Sequence, residues 1–221
     1  MDRTTRSRAT SAVAGVLLAA ASTGIAATDA HTRPANHGRN PPAVVAPGGD
    51  VGSTESAVSC GVERWGVKTG TDAGAARVDL TSVKRATVAE LDALPPPVDP
   101  IARVTPVEDT VFEVSATLTF YKTEADSDYH LVLSDDLGHT MIAEIPLPDC
   151  VSSGPFKAAI GSARAALAAT LHSSTRGRTV TVPVTVQGVG FFDHIHGQRG
   201  VAPNGIELHP VLAISFGNEL S

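Results

Sequence analysis

Aromatic residues are scarce in this chain: six phenylalanines, two tyrosines and one tryptophan among 221 residues. Proteins that hold single-stranded nucleic acid stack bases on aromatic side chains along a basic groove. Here Tyr121 and Tyr129 are the only tyrosines, and no run of Lys and Arg outlines such a groove. Three of the 17 basic and two of the 23 acidic residues precede residue 31, which leaves 14 against 21 and a formal net charge of −7 beyond it. Phosphate neutralisation by Lys and Arg supplies much of nucleic-acid affinity, so this balance disfavours nucleic acid as a partner.

Cysteine is nearly absent too. Two residues, Cys60 and Cys150, cannot build a four-cysteine zinc site. Several catalytic signatures are missing as well. No G-x-S-x-G elbow accompanies the Ser, His and Asp residues. Neither GQRGVAPNG nor PGGDVG has the lysine of a phosphate-binding loop or the spacing of a dinucleotide fingerprint. Asp126 and Asp128 resemble the opening of a calcium loop, but the Gly and terminal Glu of an EF-hand are lacking.

Long apolar runs are also lacking. The longest, SAVAGVLLAAA (11–21), falls short of the roughly 20 residues that a membrane span requires. It follows Arg3, Arg6 and Arg8 and precedes small residues, with cleavage expected after Ala26 or Ala30. This is the pattern of a signal peptide (1–30), with an uncleaved membrane anchor as the alternative. No cysteine near the cleavage region offers a lipid anchor, and no adjacent arginine pair points to the twin-arginine route. The expected address is therefore periplasmic or extracellular, with no stable membrane anchor after cleavage. In such an oxidising compartment Cys60 and Cys150 would pair with each other. The chain-entropy model gives such a loop of roughly 90 residues about 4–5 kcal/mol as a ceiling.

Residues 31–58 are rich in Pro, Gly and small polar residues without helical or strand period, and read as a disordered linker. A leader (59–109) follows, in which Trp65 is expected to pack against the main domain. It includes a short helix, TVAELDAL (87–94), capped by Thr87 and ended by Pro95-Pro96-Pro97. In TVFEVSATLTFYK (110–122), Phe112, Val114, Ala116, Leu118 and Phe120 alternate with polar residues, the period of a strand with one buried face. YHLVLS (129–134) and TMIAEIP (140–146) are the next strands. GPFKAAIGSARAALAATLH (154–172) carries Phe156, Ile160, Ala163, Leu167 and Leu171 at helical spacing. TVTVPVTVQGVGFF (179–192) and GIELHPVLAISF (205–216) close the domain (110–217). The order β-β-β-α-β-β predicts a mainly β fold with one main helix, that of a five-stranded OB-fold barrel. An open α+β sheet of the same elements is the alternative.

Four blocks, ERWGVKTGTD (63–72), TVAELDALPPP (87–97), DSDYHLVLSDD with TMIAEIP (126–136 and 140–146) and GVGFFDHIHGQRGVAPNGIELHPVL (188–212), carry a resemblance across nearly all of residues 60–216. In them the chain resembles a family of exported bacterial hypothetical proteins. The last block is the most specific. The resemblance implies the domain limits and the exported address, and names no reaction.

In an OB-fold, the loops joining strands 1 and 2 and strands 4 and 5 flank the usual ligand face. Here these would be KTEADSDYH (122–130), with Glu124, Asp126, Asp128 and His130, and DHIHGQRGVAPN (193–204), with Asp193, His194, His196, Gln198 and Arg199. Carboxylates and imidazoles suit a divalent cation or a small polar ligand better than a polyanion. Asp193, His194, His196, Glu207 and His209 are the candidate metal ligands, with zinc as the candidate ion. Register complicates this set. Even-numbered residues are the apolar ones on strand 4 (Val180, Val182, Val184, Val186, Phe192) and on strand 5 (Leu208, Leu212, Ile214, Phe216). That parity puts His194 and His196 opposite Glu207 and His209, with Asp193 joining the latter pair; a bulge at Gly188-Val189-Gly190 would reverse it. A metal or catalytic site, a hydrogen-bonded structural hairpin and an incidental loop all remain open. The expected function is a non-enzymatic exported binding module for a small polar ligand or a protein. The alternative is a metal-dependent hydrolase, such as a nuclease, using the Asp/His/Glu cluster.

Overall fold

The computed structural model describes residues 59–217; the expected signal peptide (1–30) and linker (31–58) lie outside them. The described residues belong to one compact unit. They form a mainly β structure: a six-stranded sheet with few helices. Strand β2 (Val111–Thr123) pairs antiparallel with β3 (Tyr129–Ser134), and β3 with β4 (Thr140–Ile145). β4 runs parallel to β6 (Ile206–Phe216), β6 antiparallel to β5 (Arg178–Phe192), and β5 returns antiparallel to β2. Five strands thus form a closed circuit of pairings in the order β2-β3-β4-β6-β5. Among these five only the β4–β6 pair is parallel, and the chain between β4 and β5 contains helix α3 (Lys157–Thr170). The apolar stripe of α3 lands where its spacing predicts. Phe156, Ile160, Ala163 and Leu167 are buried, and Leu171 packs at the rim. They share a core with Val114, Leu118, Leu133, Met141, Val184, Leu208 and Ile214 from all five strands. Burying a side chain of this kind contributes about 1.5–3 kcal/mol.

Two departures from simple alternation change which side chains face that core. The β2–β3 register slips between Leu118 and Phe120, so Thr119 is an extra residue on β2. The inward face therefore passes from Leu118 to Tyr121, which joins the core and donates its hydroxyl to the His172 carbonyl at 2.9 Å. Phe120, expected in the core, is buried but outside the main cluster, under the Arg199 guanidinium 4.0 Å from its ring centre. Val182 packs at the edge of the core rather than inside it. The second departure is in β6, which carries two extra residues opposite Gln187 to Gly190. The irregularity falls at the glycines named from sequence, but the surplus residues are on the partner strand. A Cβ on Gly188 would meet Leu208 Cβ at 2.9 Å and the Pro210 carbonyl oxygen at 3.0 Å, so glycine is what admits the bulged strand. Even-numbered burial therefore fails here: Val186 is followed in the core by Val189, and Leu208 by Val211. Glu207 and His209 are both buried.

The leader packs on this frame through polar anchors that sequence reading missed. Helix α1 (Trp65–Thr69) begins after Arg64, whose φ of 46° is left-handed. Arg64 makes a two-pronged pair with the fully buried Glu108, at 2.6 and 3.0 Å. It also donates to the carbonyls of Phe192 and Ala102. Glu108 in turn accepts the backbone N–H groups of Val104 and Phe192, at 2.6 and 2.9 Å. Cys60 and Cys150 form the expected disulfide, their Cα atoms 5.6 Å apart. Trp65 donates its indole N–H to the Cys150 carbonyl at 3.2 Å. A three-residue strand, β1 (Val83–Arg85), pairs parallel with β2. All three of its residues are exposed, so it left no apolar period to read. Helix α2 (Val88–Asp92) has the reciprocal Thr87–Glu90 cap, with Thr87 as expected.

Candidate functional site

The loops after β2 and after β5 meet over one cavity of about 410 Å³. Its lining includes Glu124, Asp126 and Asp128 from the first loop, Asp193, His196 and Gln198 from the second, and Glu144 and His209 from β4 and β6. The leader closes it with Cys60, Trp65 and Lys68. Strand register explains the inner residues. His130 on β3 sits directly opposite Glu144 on β4, so their side chains share a face. Glu207 and His209 are two apart on β6 and emerge on one side. Glu207 is in register with Ile142 of β4.

These residues form one continuous hydrogen-bonded row. His130 Nδ1 stands 3.1 Å from Glu144 Oε1, and the other ring nitrogen donates to the Arg199 carbonyl at 2.9 Å. Glu144 Oε2 lies 3.2 Å from His209 Nδ1, which is also 3.0 Å from Glu207 Oε1. Both imidazoles are 1% exposed. The row has a definite charge order. Burial favours the neutral carboxyl of Glu144, but hydrogen bonds from His130 and His209 outweigh it and hold the group below the usual carboxylate range. Glu207 goes the other way: burial, then the Glu144 charge, push it up, so of the two carboxyls Glu144 carries the charge. Burial opposes the charged forms of both imidazoles, yet the carboxylates beside them raise His130 and His209.

Asp128 stands at the entrance of β3. Its Oδ1 accepts the Leu147 N–H at 2.9 Å, and burial pushes its carboxyl up to about 7. Lys68 lies 3.4 Å from Asp193 Oδ1 and over the Phe191 ring, whose other contacts include the His209 ring and the Arg64 guanidinium. Three buried polar atoms at this site lack a hydrogen-bond partner: Asp128 Oδ2, His209 Nε2 and Asp193 Oδ1, the last with the Lys68 ammonium 3.4 Å away.

The sequence-named residues thus divide. Asp126, Asp128, Asp193, His196, Gln198 and His209 line the cavity, with His130 and Glu207 buried in the row beside it. His194 is exposed and faces a separate pocket with Phe192 and Ile195. Arg199 turns its guanidinium to Phe120 and contributes only its carbonyl. The five proposed metal ligands do not assemble as a set. The groups with ligand atoms within 4.8 Å of one another are Asp128, Glu144 and His209, and Glu124, His130 and Glu144. Sequence reading missed Glu144 and Lys68. Glu144 interrupts the apolar run between Ala143 and Ile145 on a strand otherwise read as core, and only the pairing with β3 and β6 discloses its role. Gly205, with φ of +76° and a place where a Cβ would meet the Asp193 carbonyl oxygen at 2.5 Å, closes the second loop, and Asn204 ties that loop to the carbonyls of Leu91 and Leu94.

Among the described residues, no helix is long and apolar enough to cross a membrane. No family model matches the chain, and no curated protein matches it either. Among solved structures, the chain is similar over 65% of its length to "a putative aspartyl-tRNA synthetase from Leishmania major Friedlin", at 16% identity and a TM-score of 0.38, and spans 22% of that chain.

Proposed function

We propose that residues 59–217 are an exported OB-fold binding module, of the bacterial family its sequence blocks resemble, whose ligand site is the cavity between the β2–β3 and β5–β6 loops. The circuit β2-β3-β4-β6-β5, with its parallel β4–β6 pair and α3 between β4 and β5, supports the fold reading. The Cys60–Cys150 disulfide supports an oxidising compartment. The observation that carries the binding reading is the convergence of both loops on a cavity rich in carboxylates and imidazoles. Such a lining selects a small ligand that presents positive charge or several hydrogen-bond donors, and it repels polyanions.

Trp65 is the only tryptophan and lines this cavity, so its fluorescence reports occupancy. Titration with a panel of small amines and polyols, in EDTA, is expected to give a saturable change in Trp65 emission for at least one of them. That change should weaken in Asp193→Asn. A flat response throughout the panel would defeat the reading of a small-ligand site.

A metal-dependent hydrolase is the second reading. It is favoured by Asp128, whose carboxyl burial brings to about 7, close to the working range of a general acid or base at neutral pH. Zinc-dependent cleavage of bis-p-nitrophenyl phosphate that Asp128→Asn abolishes would select it over the non-enzymatic one.

A further inference from the structure

We propose that Asp128, Glu144 and His209 form a binding site for one divalent transition-metal ion, with a coordination position open to the cavity. This rests on reading that cavity as the ligand site, and gives its inner wall a specific occupant.

The first ground is geometric. The three residues come from three places in the circuit: the turn before β3, the C-terminal end of β4 and the bulged part of β6. Each offers a ligand atom within 4.8 Å of the other two. Tetrahedral zinc with bonds of about 2.0–2.2 Å places its ligand atoms about 3.4 Å apart. Glu144 Oε2 stands at His209 Nδ1 (3.2 Å) and Oε1 at His130 Nδ1 (3.1 Å), so coordination turns Glu144 away from His209 Nδ1, which Glu207 retains.

The second ground is independent of the clustering. His209 has a side chain 1% exposed, and its Nδ1 faces Glu207 Oε1 at 3.0 Å and Glu144 Oε2 at 3.2 Å. Its Nε2 is buried, lacks a partner, and belongs to a residue that lines the cavity. Asp128 repeats the pattern: Oδ1 is held by the Leu147 N–H, while the buried Oδ2 has no partner. A buried polar atom without a partner costs free energy, so an occupant that satisfies both relieves two such costs at once.

The tautomer favours a cation. The carboxyl groups at Nδ1 keep a proton there, so a metal ion arriving at Nε2 displaces the second imidazole proton and takes that lone pair. Carboxylate–imidazole–metal relays of this form orient the ring and raise its basicity. Glu207, the uncharged carboxyl of the row, accepts from His209 Nδ1 in that place, and His130 fixes Glu144 from the other side. The second cluster lacks this feature. Both nitrogens of His130 are engaged, by Glu144 and by the Arg199 carbonyl, so Glu124, His130 and Glu144 offer no free imidazole. One imidazole with two carboxylates suits zinc or a neighbouring transition ion, whereas calcium prefers an all-oxygen shell.

The test is calorimetric titration of zinc chloride into the full chain, disulfide intact and stripped with EDTA, at neutral pH. One zinc ion per chain is expected, with calcium chloride giving no comparable heat. His209→Ala and Asp128→Asn should each weaken zinc affinity by at least about a hundredfold, and Glu207→Gln by about 10–100-fold through the orientation of the ring. His194→Ala should leave it unchanged. Zinc should also raise the thermal midpoint of the wild type but not of Asp128→Asn, a readout that stands even if His209→Ala fails to fold. Absence of stoichiometric zinc binding, or zinc binding indifferent to Asp128→Asn, would overturn the metal site. The amine and polyol titrations in EDTA are scored separately: a response there with no zinc binding defeats the metal site and leaves the binding module standing.

Discussion

Glu108 gives the sharpest test of how the leader is held. Its carboxylate is completely buried and accepts two bonds from Arg64, at 2.6 and 3.0 Å. It also accepts the backbone N–H groups of Val104 at 2.6 Å and Phe192 at 2.9 Å. Glu108→Ala leaves both N–H groups without an acceptor, at about 1–3 kcal/mol for a buried donor. It also strips the counter-charge from Arg64, whose side chain is only 9% exposed. Removing one partner of a buried ion pair costs about 3–5 kcal/mol, because the remaining charge stays desolvated. Arg64 keeps its bonds to the Phe192 and Ala102 carbonyls, which limits how far it can swing out to water. The expected loss is therefore about 3–5 kcal/mol rather than the sum of all these terms. Urea denaturation followed by Trp65 fluorescence and far-UV circular dichroism measures it. For a slope of about 2 kcal/mol/M, the midpoint should fall by about 2 M. Glu108→Gln keeps an acceptor of nearly the same shape and should lose less than the alanine variant. A loss below about 1 kcal/mol for Glu108→Ala would refute the reasoning, and would mean that the Arg64–Glu108 pair is not what holds the leader.

Leu118→Ala should cost about 2–5 kcal/mol by the same assay, since Leu118 is fully buried among all five strands; a loss below about 0.5 kcal/mol would contradict its placement. The double variant Cys60→Ser/Cys150→Ser should fold with a lower midpoint, by at most about 4–5 kcal/mol for the closed loop, and non-reducing peptide mapping of native protein should recover the two cysteines linked. Thr87→Ala should destabilise by about 0.5–2 kcal/mol, seen as faster amide exchange at Glu90, whose N–H the Thr87 hydroxyl accepts. Burial opposes ionisation of Asp72, but the Arg103 guanidinium outweighs it and lowers the carboxyl below its usual range. A lowered folded value means stability present above the unfolded pKa, about 4, and lost as pH falls through the folded one. Asp72→Asn should therefore flatten the acid side of a thermal-midpoint profile below about pH 4 and leave its slope near neutrality unchanged.

Much of the frame was legible because its signals are local. The 3.6-residue stripe from Phe156 to Leu171 needs only one apolar neighbour surface, and α3 found it. The Thr87 cap is a contact within one helical turn, and the pairing of the only two cysteines follows from compartment and count. Strand positions were legible for the same reason, since alternation is written in a few consecutive residues.

What the chain itself determined, then, is where the five strands β2 to β6 and the helices α2 and α3 lie and which two loops are rich in carboxylate and imidazole. Tertiary structure decided which of those groups meet. Parity carried along a strand assumes an unbroken pleat, and a single extra residue reverses every side chain beyond it. Thr119 does this on β2 and sends Phe120 outward in favour of Tyr121. On β6 one extra residue reverses the faces beside His209 and brings Val211 into the core, and the second restores them by Leu212 and Ile214, where Gly188 lets the backbone crowd in. Glu144 and Lys68 became part of the site only because β4 is flanked by β3 and β6 and α1 lies along the cavity, β6 and α1 each being more than fifty residues from β4 in sequence. Arg64 and Glu108 show the same limit: a buried ion pair has no sequence period, because what stabilises it is the exclusion of water by everything packed around it.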